Sequence, residues 1–205
     1  GQNSTFYTQF RMRLSPEMLT NTWDSAWKFF DMEYNQSVCG TLALVFVNYY
    51  MSGFPTGYVE CGARGLYTNN GVPPTLLQQG DYNCAYGNTN RTDCFYFVPN
   101  EWMTFYFRVQ VGTWGQSNST IQAWVAREGS TTYKQWINLP NFVLNNDGAG
   151  FNTSAFFPYM TGLSSTSGLP GVTSYMWIDE FIISTQPITA PGGTPPPTDT
   201  TAPTV

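Results

Sequence analysis

Histidine is absent from the chain. Without an imidazole there is no Ser-His-Asp or Cys-His catalysis, no His-ligated zinc and no ready general base near neutrality. Any chemistry must run on Tyr, Asp, Glu, Arg or Lys. Charge is scarce as well: 8 Lys and Arg face 13 Asp and Glu, only 10% of 205 residues are charged, and the net charge is -5. No basic run occurs, which speaks against nucleic acid and an anionic membrane surface as partners, since both demand clustered cations. No apolar run is long enough to span a bilayer as a helix, so membrane insertion is not expected. Cysteines number 4 and none forms a C-x-x-C, which removes the usual zinc and redox motifs.

What remains is aromatic and neutral. Phe, Trp and Tyr make up 17% of the chain, and Asn, Thr, Ser and Gly supply most of the polar groups. Such a surface works through hydrogen bonds and ring faces rather than ions. Cys39 and Cys61 form one sequence-local pair, and Cys84 and Cys94 another. Of the three possible connectivities, pairing within each local pair is the simplest, and each closed loop would contribute about 3 kcal/mol. Disulfides imply an oxidising, secreted or extracellular setting. The sequence opens at Gly1 without an initiator Met or signal peptide, as in a mature product or a piece of something longer.

Period-two patterning dominates. Phe6 to Leu14 alternates Tyr7, Gln9, Arg11 and Arg13 with Phe6, Thr8, Phe10, Met12 and Leu14. A strand sends successive side chains to opposite faces, so one face is nearly all apolar and the other carries phenol, amide and guanidinium. Ser15-Pro16-Glu17 suits the start of a short helical turn, residues 23 to 32 resume an extended pattern, and residues 41 to 50 read as a strand covered on both faces, with 57 to 61 as a hairpin partner. Residues 62 to 100 read as a long stapled loop region. Met103, Phe105, Phe107, Val109 and Val111 then alternate with Thr104, Tyr106, Arg108 and Gln110. A polar connection at 115 to 119 leads to a strand with Ile121, Ala123 and Val125 inward and Gln122, Trp124 and Arg127 outward. Three strands thus repeat one vocabulary of Tyr, Trp, Gln and Arg.

The last strand is S-Y-M-W-I-D-E-F-I-I-S, where adjacent Asp179 and Glu180 should point to opposite faces. Beyond it the chain becomes Pro/Thr-rich, so residues 1–188 read as one domain and 189–205 as a linker or tail leading to further modules. N-N-D-G at 145–148 lacks the spacing of a calcium loop and reads as a turn. No motif calls for a metal or cofactor. Trp23, Trp27, Trp102, Trp114, Trp136 and Trp177 are expected as core or sheet cover, with Trp124 the exception on the polar face.

W-I-D-E-F-I-I-S, taken with Y-T-Q-F-R-M-R, N-E-W-M-T-F and S-T-I-Q-A-W-V-A-R-E-G, resembles the concanavalin A-like jelly rolls, among them secreted bacterial polysaccharide-lyase-like and carbohydrate-binding proteins. The resemblance covers most of residues 6 to 187 and implies an all-β fold, an antiparallel β-sandwich. Glycosidases of that superfamily carry E-x-D-x-E on one strand, which this chain lacks. Lyases of that fold use a His or Tyr base beside an Arg, Asn or Gln that neutralises the uronate carboxylate. Here only a tyrosine version survives: Gln9 and Arg11 as neutralisers with Tyr106 or Tyr7 exchanging the proton, provided that neighbouring guanidinium groups lower the phenol's pKa.

Three functions follow as expectations. The first is a carbohydrate-recognition domain that binds a polysaccharide, acidic ones included, over Tyr7, Gln9, Arg11, Arg13, Tyr106, Arg108, Gln110, Gln122 and Trp124. The second is a tyrosine-dependent lyase using Tyr106, Arg11 and Gln9. The third is an extracellular structural subunit, a homo-oligomer strapped by its tail.

Overall fold

The computed structural model describes residues 1–20, 27–33, 42–48, 53, 55–61, 76–77, 94–144, 150–160 and 173–189. Among these described residues ten strands and one short helix follow in order: β1 (Ser4–Leu14), α1 (Pro16–Thr20), β2 (Trp27–Glu33), β3 (Leu42–Asn48), β4 (Pro55–Cys61), β5 (Leu76–Leu77), β6 (Met103–Val111), β7 (Ser117–Arg127), β8 (Lys134–Val143), β9 (Thr153–Met160) and β10 (Met176–Ser184). They form two five-stranded sheets, β10-β1-β6-β7-β8 and β5-β4-β3-β2-β9, with antiparallel pairing at every neighbour. The fold is the expected antiparallel β-sandwich.

Its core is aromatic. Phe10, Phe105 and Phe107 from the inner face of one sheet meet Phe30 and Phe46 from the other, all buried. Phe10 lies 4.8 Å from Phe30, 5.4 Å from Phe105 and 4.8 Å from Phe156, centroid to centroid. These tilted, stacked and edge-on contacts suit ring quadrupoles. The apolar rows read from β1 and β6 are this inner face, which fixes the outer face as the polar one.

The β6–β7 hairpin forms as the alternation predicts, with its connection at 112–116 rather than 115–119. Gly112 sits so tightly there that a Cβ would lie 2.0 Å from Asn118 Oδ1, and the same oxygen accepts the Thr113 N–H at 2.9 Å. β3 and β4 pair as expected. α1 is the expected helical turn after Ser15, whose carbonyl accepts the Met18 N–H at 3.1 Å.

Two full strands escape the period-two reading. β8 carries Pro140, positive-φ Asn141 and three register shifts against β7, and β9 carries Pro158. Both end the strand order of their sheets, where a residue without an N–H loses no ladder bond that the sheet needs. Short β5 falls within the expected loop region 62–100.

Several sequence expectations fall outside the described residues: the side chains of Cys39, Cys61 and Cys84, the turn at 145–148, Trp23, and the tail from 190 onward. Cys94 is buried beside Tyr96 and is not a free thiol. Among the described residues no helix is long and apolar enough to cross a membrane, and no cluster of three or more His, Cys, Asp or Glu side chains could hold a metal ion.

Candidate functional site

β1, β6 and β7 are consecutive strands of one sheet, so their polar faces merge. The register sets Tyr7 opposite Arg108 and Arg108 opposite Gln122; in the next row Gln9 faces Tyr106, and Tyr106 faces Trp124. Gln110 pairs with Thr5 and Thr120, and Arg11 with Thr104. Arg13, beyond the β6 pairing, sits opposite Trp177 of β10. All nine residues expected on the face are therefore on it.

A hydrogen-bonded relay runs across one row. Arg108 donates to Gln122 Oε1 and to Gln110 Oε1, each at 2.7 Å, and Gln122 Nε2 donates to Asn138 Oδ1 at 3.0 Å. Arg108 is thereby fixed in place by neutral amides rather than by a carboxylate. Gln9 Oε1, Arg13 Nε and Arg108 Nε are buried on this face without a protein hydrogen-bond partner. Buried polar groups are nearly always satisfied, so each orphan calls for an explanation.

The centre of the face is roofed. Ile188, just past β10, packs on Tyr7, Tyr106 and Trp124, with Tyr133 beside them. Tyr106 is 2% exposed and Trp124 5%. The rings meet at 6.0 Å for Tyr7–Tyr106, 5.7 Å for Tyr106–Trp124 and 6.2 Å for Tyr106–Tyr133. Trp124 is thus a wall of this cluster rather than an open stacking surface. Burial pushes the Tyr106 phenol up to about 12, outweighing a bond to the Ile188 main chain and the Arg108 charge, both of which pull it down. The lowering expected from the guanidinium groups is overturned, because desolvation dominates. Tyr133 is likewise pushed up to about 12, by burial first and then by Tyr106 and Glu180.

These phenols make a pH window. A free phenol ionises at 10.0 and these two near 12, so between those values the unfolded chain sheds protons that the folded chain keeps. Stability is therefore full below pH 10, falls as pH rises toward about 12, and levels beyond it. Urea unfolding across this range should show the decline, and a Tyr106→Phe/Tyr133→Phe double variant should flatten it; an equally steep decline in that variant would assign the effect to other groups.

Glu180 was missed as a site residue. Gln9 pairs with Ile182 but Arg11 with Asp179, so β10 carries a bulge there, and Glu180 adopts a φ of 51°. The bulge breaks the alternation that should have sent Asp179 and Glu180 to opposite faces. Asp179 Oδ1 accepts the Glu180 N–H at 2.8 Å, and the Glu180 carboxylate lies 3.5 Å from Arg11 Nη1. The Arg11 guanidinium also stands 5.1 Å from the Trp102 ring. No sequence signal announces the bulge.

Two further expectations are corrected. Arg127 pairs with inward-facing Met103 and leaves the polar face; it donates to the Tyr96 carbonyl at 2.7 Å, approaches Glu101 Oε2 at 3.3 Å and covers the Phe95 ring, tying down the 94–101 loop. Trp177 is neither core nor cover, being 37% exposed on the polar face. Trp136, by contrast, is buried in the core as expected.

No protein-family model and no curated protein matches the chain in sequence. Among solved structures it is similar to the PL-14 alginate lyase from Aplysia kurodai, with TM-score 0.52 and 15% identity over 90% of this chain and 71% of the lyase. It is also similar to alginate lyase Aly36B, with TM-score 0.54 and 12% identity over 89% and 70%. A third is the endo-beta-1,4-glucuronan lyase from the fungus Trichoderma reesei, with TM-score 0.56 and 10% identity over 90% and 70%. The chain thus shares the two-sheet antiparallel β-sandwich fold of these solved structures.

Proposed function

We propose that the chain binds an acidic, uronate-containing polysaccharide across the outer face of the β10-β1-β6-β7-β8 sheet, and that holding the glycan rather than cutting it is its task. The observation that carries this reading is the merger of three strands into one face of Tyr, Gln and Arg, with Gln9 Oε1 and Arg108 Nε buried without protein partners. A planar guanidinium matches a carboxylate in two-pronged geometry, and amides match hydroxyls. Alginate and glucuronan, named for the structural neighbours, are polymers of this acidic class.

The state of Tyr106 favours binding over lyase chemistry. Abstracting a proton next to a carboxylate requires a base with a free lone pair near working pH. Tyr106 instead keeps its proton up to about 12 and sits under Ile188. The lyase reading draws on the cross-strand pairing of Gln9 with Tyr106, with Arg11 nearby on the same strand face, and on the fold neighbours. One experiment separates the two. Binding of alginate and glucuronan by calorimetry, without new ultraviolet absorbance from an unsaturated uronate, supports recognition. Absorbance that disappears in Tyr106→Phe supports the lyase, and failure to bind any acidic glycan sinks both.

Glu180 competes with the ligand for Arg11. Glu180→Gln keeps the shape of the side chain and frees the guanidinium, so affinity for acidic glycans should rise a few-fold, the size of a partly exposed ion pair. Neutral glucans should show no change in the same calorimetric titration.

A further inference from the structure

We infer that Tyr175, Trp177 and Arg13 form an open sugar-binding position at one end of this face, which takes a uronate ring while the centre is roofed. The inference rests on the acidic-glycan reading above. Trp177 and Tyr175 are two residues apart and stand on the outer face, because Trp177 pairs with Arg13 while the intervening Met176 pairs with inward-facing Leu14. Their rings lie 5.6 Å apart at an interplanar angle of 21°. Tyr175 is 53% exposed and Trp177 37%, in contrast to the enclosed rings of Tyr7, Tyr106 and Trp124. The two rings stack on each other, and the side of this pair that stays open to solvent offers an apolar surface on which a pyranose can rest.

The charge on this platform is directed at an acid. The Arg13 guanidinium stands 4.7 Å from the Trp177 ring centroid, and its Nε is buried without a partner. The ion pairs of Arg11 with Glu180 and of Arg127 with Glu101 do not engage Arg13. Arg13 thus keeps its Nη donors for a ligand carboxylate, at a height set by the ring on which it rests. The platform is also held in place before any ligand arrives. Ser15 donates its N–H to the Tyr175 carbonyl at 2.9 Å, and the Tyr175 N–H donates to Ser15 Oγ at 3.0 Å. Little main-chain ordering is then left to oppose binding.

Position completes the argument. Arg13 lies four residues along β1 from Gln9, about 13 Å at the usual strand rise. That span accommodates several sugar rings running from the platform past Arg11 and Trp102 toward the roofed centre. An acidic glycan would meet the platform first.

The test compares the full chain with Trp177→Ala, Tyr175→Ala and Arg13→Gln, titrated with alginate and glucuronan oligosaccharides and with a neutral glucan oligosaccharide. Trp177→Ala should weaken binding roughly tenfold or more, as loss of an aromatic anchor does, and Trp177→Phe should restore most of it. Arg13→Gln should cost about three- to fivefold for acidic chains only, the range of an exposed cation interaction. Tyr175 is so exposed that Tyr175→Ala keeps the test valid if Trp177→Ala fails to fold. Unchanged affinity in the folded variants, with a wild-type chain that binds, overturns the platform and leaves the general reading standing. A wild-type chain that binds no acidic glycan overturns both. Concentration-dependent self-association that Trp177→Ala abolishes overturns the platform in favour of a second copy covering this edge.

Discussion

Ending the chain after Gln186, or replacing Ile188 by Ser, is expected to tighten binding of acidic oligosaccharides about ten- to a hundredfold. Ile188 closes the centre of the face over Tyr7, Tyr106 and Trp124, and burying such a side chain contributes roughly 1.5–3 kcal/mol. The uncovered face is then a minor state, and a ligand that needs it binds more weakly by the fraction of molecules that present it. Cutting after Gln186 leaves β10 whole and keeps the Gln186 N–H on Ser184 Oγ at 2.9 Å, so the sheet should survive the change. The gain comes with a small loss of stability, because three aromatic rings become wet. Calorimetric titration of both chains with one oligosaccharide checks the idea, and equal affinities would sink it. If the shortened chain also generates unsaturated uronate where the full chain does not, the tail restrains a lyase rather than a binding face.

Phe10→Ala is expected to cost about 3–5 kcal/mol of folding stability, as deletion of a fully enclosed aromatic ring does. Phe10 is 0% exposed and touches rings from both sheets, Phe105 and Phe107 on its own and Phe30 and Phe156 on the other. Removing it opens a void that its neighbours, held by their strands, cannot fill. For a chain of this length Tm should fall by on the order of 10 °C. Thermal unfolding followed by near-ultraviolet circular dichroism measures this directly, and a fall of only a degree or two would mean that the core repacks around the gap. Phe10→Leu should recover most of the loss.

The two faces of β1, β6 and β7 were legible because these strands are regular and half-buried, the one case in which period two maps directly onto inside and outside. Which sheet each strand joins was not legible, since pairing depends on contacts between residues far apart in the chain. β8 and β9 were hidden by Pro140 and Pro158, which look like breakers until the strands are seen at the ends of their sheets. Glu180 and Arg127 were misread for related reasons. A bulge shifts the count by one at Glu180, and Arg127 follows the parity of its strand into the loop contacts of Tyr96, Phe95 and Glu101. Trp124 is enclosed because Ile188, a residue whose packing partner no local pattern reveals, covers it on the polar face, while Trp177 stays 37% exposed there. The resemblance to the jelly rolls identified the fold correctly, since its motifs are structural.

The four strands that end the two described sheets share a property that bears on how copies of the chain meet. β8 and β9 each contain a proline, β10 is buckled at Glu180, and β5 is two residues long. Each of these obstructs growth of the hydrogen-bonded ladder by another chain. Lengthening a sheet through its rim, the route to fibrous aggregates, is thus hindered at every described border. At these borders contact between copies is left to the faces, where a neighbouring copy would meet the aromatic pair proposed to hold a glycan.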